Sequence, residues 1–135
     1  MSATPSTYAA YRTTTIATAD PVTLTTMLFD GALKAMRRAR LRYEEGRRKE
    51  FLDELERASL IVGELLATLD YERGGELAKN LSAIYAYCLR RLTEATLGEL
   101  DKLAEAEKHI GRIAEAWKQA AAAYRAGQVE RSHAA

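Results

Sequence analysis

Residues 103–124 read LAEAEKHIGRIAEAWKQAAAAY, and this stretch decides the fold. Leu103, Ala106, Ile110, Ile113, Trp117, Ala120 and Tyr124 recur in alternating steps of three and four. Such spacing draws one apolar line along an α-helix. Its heptad rhythm predicts left-handed packing against neighbouring helices. The seam fades through Ala120–Ala123 and is predicted to stop near Gly127, leaving 128–135 as a short, disordered polar tail.

Working back along the chain, three more stripes appear. Leu77, Leu81, Ile84, Cys88, Leu92 and Ala95 predict a third helix over about 76–96, broadened by Tyr85, Tyr87 and Leu89. An arc that wide belongs to a helix that is central or that shows part of its apolar surface to a partner. Phe51, Leu55, Ala58, Val62, Leu65 and Leu69 make the second stripe, expected to end near Asp70–Arg73 ahead of a Gly74-Gly75 turn. Leu24, Leu28, Ala32, Ala35, Ala39 and Tyr43 make the first. Asp20 suits its N-cap, Pro21 its first helical position and Gly46 its exit. Isolated helices of this length are marginal in water, so the stripes must meet. The expected fold is all-α: an antiparallel four-helix bundle over 20–127, carrying a flexible N-terminal tail, 1–19, that can dock on it. That tail is rich in Ser, Thr and Ala, and only Tyr8, Tyr11 and Ile16 give it sizeable apolar groups.

Composition narrows the function. The chain has 135 residues, 47% of them hydrophobic, with 20 Lys and Arg against 19 Asp and Glu, a net charge of +1. A chain of this size builds one domain that hides about two-thirds of its unfolded surface. The even charge balance argues against a nucleic-acid binder, and no apolar run is long enough for membrane insertion. Cys88 stands alone, so no disulfide framework and no usual zinc set can form. The expectation is an intracellular domain without a cofactor or a structural metal site.

Few residues offer chemistry. Glu105 and His109 share a helix face at i, i+4, which reads as a surface ion pair rather than an acid–base couple. No Glu-x-x-His occurs, so a di-iron bundle is not expected. Cys88 falls on a core stripe and behaves there as a small hydrophobe. Gly74-Gly75 lacks the surrounding pattern of a phosphate loop. The basic residues Arg37, Arg38, Arg40, Arg42, Arg47, Arg48 and Lys49 are diluted by neighbouring acids and read as a solvated helix end.

Beyond these physical signals the sequence resembles a known family. Tyr8-x-x-Tyr11, Thr18-Ala19-Asp20-Pro21 and Leu24-x-x-Met27-Leu28-Phe29-Asp30-Gly31-Ala32 are similar to the opening of the FliS family, the flagellin-specific export chaperones. Leu69-Asp70-x-Glu72-x-Gly74-Gly75-Glu76-Leu77-Ala78-x-Asn80-Leu81 is similar to the family's entry into its third helix. Ile84-Tyr85-x-Tyr87-x-x-Arg90-Arg91-Leu92-x-Glu94-Ala95 and Glu115-Ala116-Trp117-Lys118 follow in order. Ala86, Cys88 and Thr96 depart from the usual Asp, Met and Asn.

The resemblance implies a cytoplasmic chaperone. It would bind the disordered C-terminal segment of flagellin, prevent premature polymerisation and deliver it to a gate component of the flagellar type III export apparatus. Client contacts would fall on apolar residues beyond those the bundle needs: Met27, Leu28, Phe29, Ile61, Leu65, Ile84, Tyr85 and Tyr87. Tyr8, Tyr11 and Ile16 would hold the tail over that surface when no client is bound. The competing expectation is a homodimer or larger self-assembling bundle with no flagellin client.

Overall fold

A computed structural model describes residues 20–134. They form four helices: α1, Pro21–Glu44; α2, Arg48–Ala67; α3, Tyr71–Ala95; and α4, Leu100–Ala134. No strand occurs among the described residues. Residues 1–19, with Tyr8, Tyr11 and Ile16, lie outside the description.

Local chemistry sets the helix ends. Asp20 has extended backbone angles, and its carboxylate accepts the Thr23 N–H at 2.7 Å. That bond holds its carboxyl below the usual carboxylate range. Pro21 follows at a position where its missing N–H costs nothing. The chain leaves α1 through Gly46, whose φ of 74° lies in the left-handed region that glycine enters freely. Helix α2 stops at Ala67, ahead of the Asp70–Arg73 stop that its stripe predicts. The Thr68 hydroxyl donates to the Leu65 carbonyl, and Asp70 then caps the next helix by accepting the Arg73 N–H at 3.1 Å.

Two differences from the sequence reading have clear causes. Gly74-Gly75 is not a turn between helices. Helix α3 begins earlier, at Tyr71, and Gly75 makes a kink within it at φ 50°, ψ −126°. A side chain at Gly74 would come within 2.8 Å of the Ala78 Cβ, so the tight bend needs glycine there. Beyond the kink Leu77 points outward and is 65% exposed, although the stripe counted it as core. Helix α4 runs through Gly127 to Ala134, past the predicted stop. A glycine in an exposed helix costs only about 1 kcal/mol, and Ala120–Ala123 and Ala126 favour continuation.

The helices pack in ring order, α1 against α2 and α4, and α3 against α2 and α4. Neighbours run antiparallel. Arg40 pairs with Glu107 at 2.5 Å and Asp30 with Lys118 at 2.6 Å, so α4 descends as α1 rises. Tyr43 meets Phe51 edge-on with ring centroids 5.1 Å apart, which sets α1 against α2. Phe29, Met36, Phe51, Leu55, Leu65, Leu92, Leu103 and Ile110 fill the core, and no polar or charged residue is buried among the described residues.

Cys88 and Tyr85 sit inside this core. Burial pushes the thiol up to about 11 and the phenol up to about 12. The unfolded chain would ionise both groups lower, near 9.0 and 10.0. Their contribution is therefore complete below the unfolded values and lost as pH rises through the folded ones. The urea-unfolding midpoint should fall as pH climbs from about 9 to about 11, and Cys88→Ala should lessen the fall. Phe51→Ala, which empties a fully buried site, should cost about 3–5 kcal/mol. Leu60→Ala, at a side chain 64% exposed, should stay within about 0.5 kcal/mol by the same urea measurement.

Candidate binding site

One end of the bundle is built from the start of α1, the end of α2, the start of α3 and the later part of α4. The core is incomplete there, because α2 has stopped and α3 has kinked while α4 continues. A cleft of about 200 Å³ remains. Its apolar walls are Phe29 from α1, Leu65 from α2, Leu69 from the connection, Leu81 and Tyr85 from α3, and Ile113 and Trp117 from α4. Thr25, Thr68 and Asp70 form its polar edge. A water-sized space would hold polar partners on all sides. This one is largely aliphatic and aromatic, with hydrogen-bonding groups confined to an edge, which suits an apolar side chain on a segment whose other side faces water.

Trp117 is the wall with the most defined geometry. Its ring centroid lies 6.3 Å from that of Phe29. The indole N–H donates to the Thr26 hydroxyl at 2.9 Å, and that hydroxyl donates to the Val22 carbonyl at 3.0 Å. Further out, Lys118 pairs with Asp30, and Arg125 donates to the Thr23 hydroxyl at 2.5 Å and lies 3.8 Å from the Asp20 carboxylate. Helix α4 thus grips the first turns of α1 and fixes one wall of the cleft.

The residues singled out from sequence fall in different places. Phe29, Leu65 and Tyr85 line the cleft. Leu28 and Ile61 are buried in the core away from it, and Ile61 packs close to Gly31. Met27 and Ile84 are half-buried and do not line it. Thr25, Thr68, Leu69, Asp70, Leu81, Ile113 and Trp117 line the cleft without having been singled out. Four of these, Leu69, Leu81, Ile113 and Trp117, sit on core stripes. The available signal was positional: stripes on the end of a bundle run past the neighbours that would cover them.

Tyr87 belongs to a separate cluster between α3 and α4. Its hydroxyl donates to the Glu105 carboxylate. The Arg91 guanidinium lies 4.7 Å above its ring, that of Arg90 lies 5.7 Å away, and His109 approaches edge-on at 5.6 Å. The Tyr87 hydrogen bond, with Arg91 nearby, holds the Glu105 carboxyl below its usual range. Glu105 is therefore engaged across the helix interface rather than paired with His109 along its own helix. Among the described residues no three His, Cys, Asp or Glu side chains come together to hold a metal, and no helix is long and apolar enough to cross a membrane.

The Trp117–Thr26 bond yields a direct check. Thr26→Val keeps the shape of the side chain and removes the acceptor, leaving the indole N–H without its partner. Unfolding in urea should show a loss of about 1 kcal/mol, and Trp117 emission should shift in the native state.

Comparison with known proteins gives the family. The family model described as "Flagellar protein FliS" matches residues 4–124. The flagellar secretion chaperone FliS of Salmonella typhimurium is 44% identical over 106 residues, covering 77% of this chain and 78% of the relative. That of Bacillus subtilis is 37% identical over 114 residues, covering 84% of each. That of Escherichia coli is 39% identical over 98 residues, covering 71% and 72%. A family match across most of the chain and relatives well above 30% identity lead to one conclusion: the chain belongs to the FliS family of flagellar secretion chaperones, and is a chaperone rather than an enzyme.

Proposed function

We propose that this chaperone binds the disordered C-terminal region of flagellin in the cytoplasm, keeps it from polymerising and hands it to a component of the flagellar type III export gate. The observation that carries the reading is the apolar cleft bounded by Phe29, Leu81, Tyr85, Ile113 and Trp117. A disordered segment that folds on binding gains about 25 cal/mol for each Å² of apolar surface it buries and loses part of that to ordering. An amphipathic client helix would put one apolar side chain into the cleft and continue along half-buried Ile84 and exposed Leu77. Leu65 would meet the client at the cleft wall, and Met27, Leu28, Ile61 and Tyr87 would respond as the surrounding frame.

The N-terminal residues have a place in the same scheme. The described chain starts at Asp20, one helical turn or so from Thr25 on the cleft's edge. The segment 1–19 would then reach the cleft, with Tyr8, Tyr11 and Ile16 covering it until a client displaces them. A covered cleft keeps an apolar surface from causing aggregation.

Titration with a flagellin C-terminal peptide tests the reading. Helical circular dichroism should exceed the sum of the separate signals, and Trp117 emission should change with saturation. Leu81→Asp should weaken binding by about tenfold or more. No gain in helicity and no heat of binding would contradict the proposal. Deleting residues 1–17 should raise dye binding to apolar surface while the bundle stays folded; an unchanged dye signal would contradict the covering role.

A further inference from the structure

Two half-exposed tyrosines stand at the open end of the bundle. Tyr71 is 49% exposed and Tyr124 is 52% exposed. Each nevertheless continues a line of interior residues. Tyr71, Ala78 and Tyr85 follow one another at the heptad interval on α3, and Ile110, Trp117 and Tyr124 do so on α4. Residues spaced in this way share one helix face. Ala78, Tyr85 and Ile110 are buried, and Tyr85 and Trp117 line the cleft. The two lines are also in register. Cys88 lies against the Ala106 carbonyl, Arg91 against Glu105, and Tyr87 against both Glu105 and His109. Antiparallel helices have the same rise per residue. These contacts therefore carry Tyr85 to the level of Ile110, Ala78 to that of Trp117 and Tyr71, on a straight α3, to that of Tyr124. Among the described residues Tyr71 makes no hydrogen bond or ring contact, and the Tyr124 hydroxyl accepts from Gln128 of its own helix.

The kink in α3 is what parts the two rings, and it depends on both glycines. Gly75 stands at φ 50°, ψ −126°, where an L side chain is strained. A Cβ on Gly74 would lie 2.8 Å from that of Ala78, whereas residues four apart in a straight helix keep about 5–6 Å between Cβ atoms. A straight helix needs neither glycine. The turn before the kink is bonded within itself. Asp70 accepts the Arg73 N–H on its side chain and the Gly74 N–H on its carbonyl, and Arg73 lies 3.7 Å from the Asp70 carboxylate. Among the described residues no hydrogen bond or ion pair joins 70–75 to another helix, and Tyr71, Glu72 and Arg73 are exposed.

We propose that the cleft has a closed state, reached when Gly75 turns into the right-handed helical region and α3 runs straight, so that Tyr71 packs against Tyr124 across the mouth. The closed state controls entry of the client, and to that extent it rests on the cleft being the client's site. A tyrosine presents an apolar ring and a polar tip. That suits a mouth with apolar walls and with Thr25, Thr68 and Asp70 at its rim. Glycine passes between the two backbone regions at little steric cost, so a small free-energy difference separates open from closed. A segment entering the cleft binds the kinked form, and its apparent affinity falls with the fraction of chains that are closed.

Two substitutions disfavour the kink by different means. Gly75→Ala acts through φ, and Gly74→Ala through the collision with Ala78. Each should favour the closed state in the full chain, with circular dichroism showing the fold kept. Acrylamide quenching of Trp117, the chain's single tryptophan, should fall in both. Binding of a flagellin C-terminal peptide should weaken by about fivefold or more, the factor set by holding an L residue in a left-handed conformation. In a Tyr71→Ala or a Tyr124→Ala background the same glycine substitutions should leave quenching unchanged and alter binding less than about twofold. If Gly75→Ala does not fold, Gly74→Ala decides alone. Unchanged quenching in the folded glycine variants, or an equal fall with and without either tyrosine, would overturn the proposal. Quenching needs no peptide: a wild-type chain that does not bind the peptide contradicts the reading of the cleft, and quenching still decides whether it closes.

Discussion

The contact between Trp117 and the first turns of α1 sets the form of the binding end. Helix α4 outlasts the helices beside it, and a helix extending beyond its neighbours leaves part of its stripe without cover. Trp117 resolves this only in part. One face of the indole packs towards Phe29, and its N–H is satisfied by Thr26. The remaining edge stays at the cleft. Lys118 on Asp30 and Arg125 on Thr23 hold that arrangement from outside. The wall is therefore fixed before any ligand arrives, which reduces the ordering cost of binding to that of the incoming segment.

The opposite end of the bundle shows what a completed seam looks like. Tyr43 lies edge-on to Phe51 and its hydroxyl reaches the space beside Gly98, whose φ of 90° lets the chain turn tightly into α4. The Arg48 guanidinium closes the same corner by donating to the Thr96 carbonyl at 3.2 Å. One end is thus sealed by short loops and cross-links, while the other is left open by a helix stop at Ala67 and a kink at Gly75. The asymmetry follows from where the helix breakers stand, and it would confine the proposed client to one end.

Much of the architecture was readable from periodicity. Asp20 and Pro21 announced the start of α1, and the seam of Leu103, Ala106 and Ile110 announced α4, because capping and amphipathic spacing act locally. The cleft was harder to read for a reason that is not local. Leu81, Ile113 and Trp117 have the same spacing as core residues, and only the relative lengths of the helices decide that they border a space. Gly74-Gly75 misled in the same way: a glycine pair marks a backbone departure, and tertiary context decides between a turn and a kink. Gly127 marked no stop, since nothing at the exposed end of α4 penalises one glycine enough.

Hydrogen–deuterium exchange of the chaperone with and without the flagellin C-terminal segment tests the central claim most directly. The account predicts that protection on binding concentrates at the first turns of α1, around Leu65–Asp70, around Leu81–Tyr85 and around Ile113–Trp117. Protection confined to the sealed end near Tyr43 and Gly98, or no change at all, would contradict it.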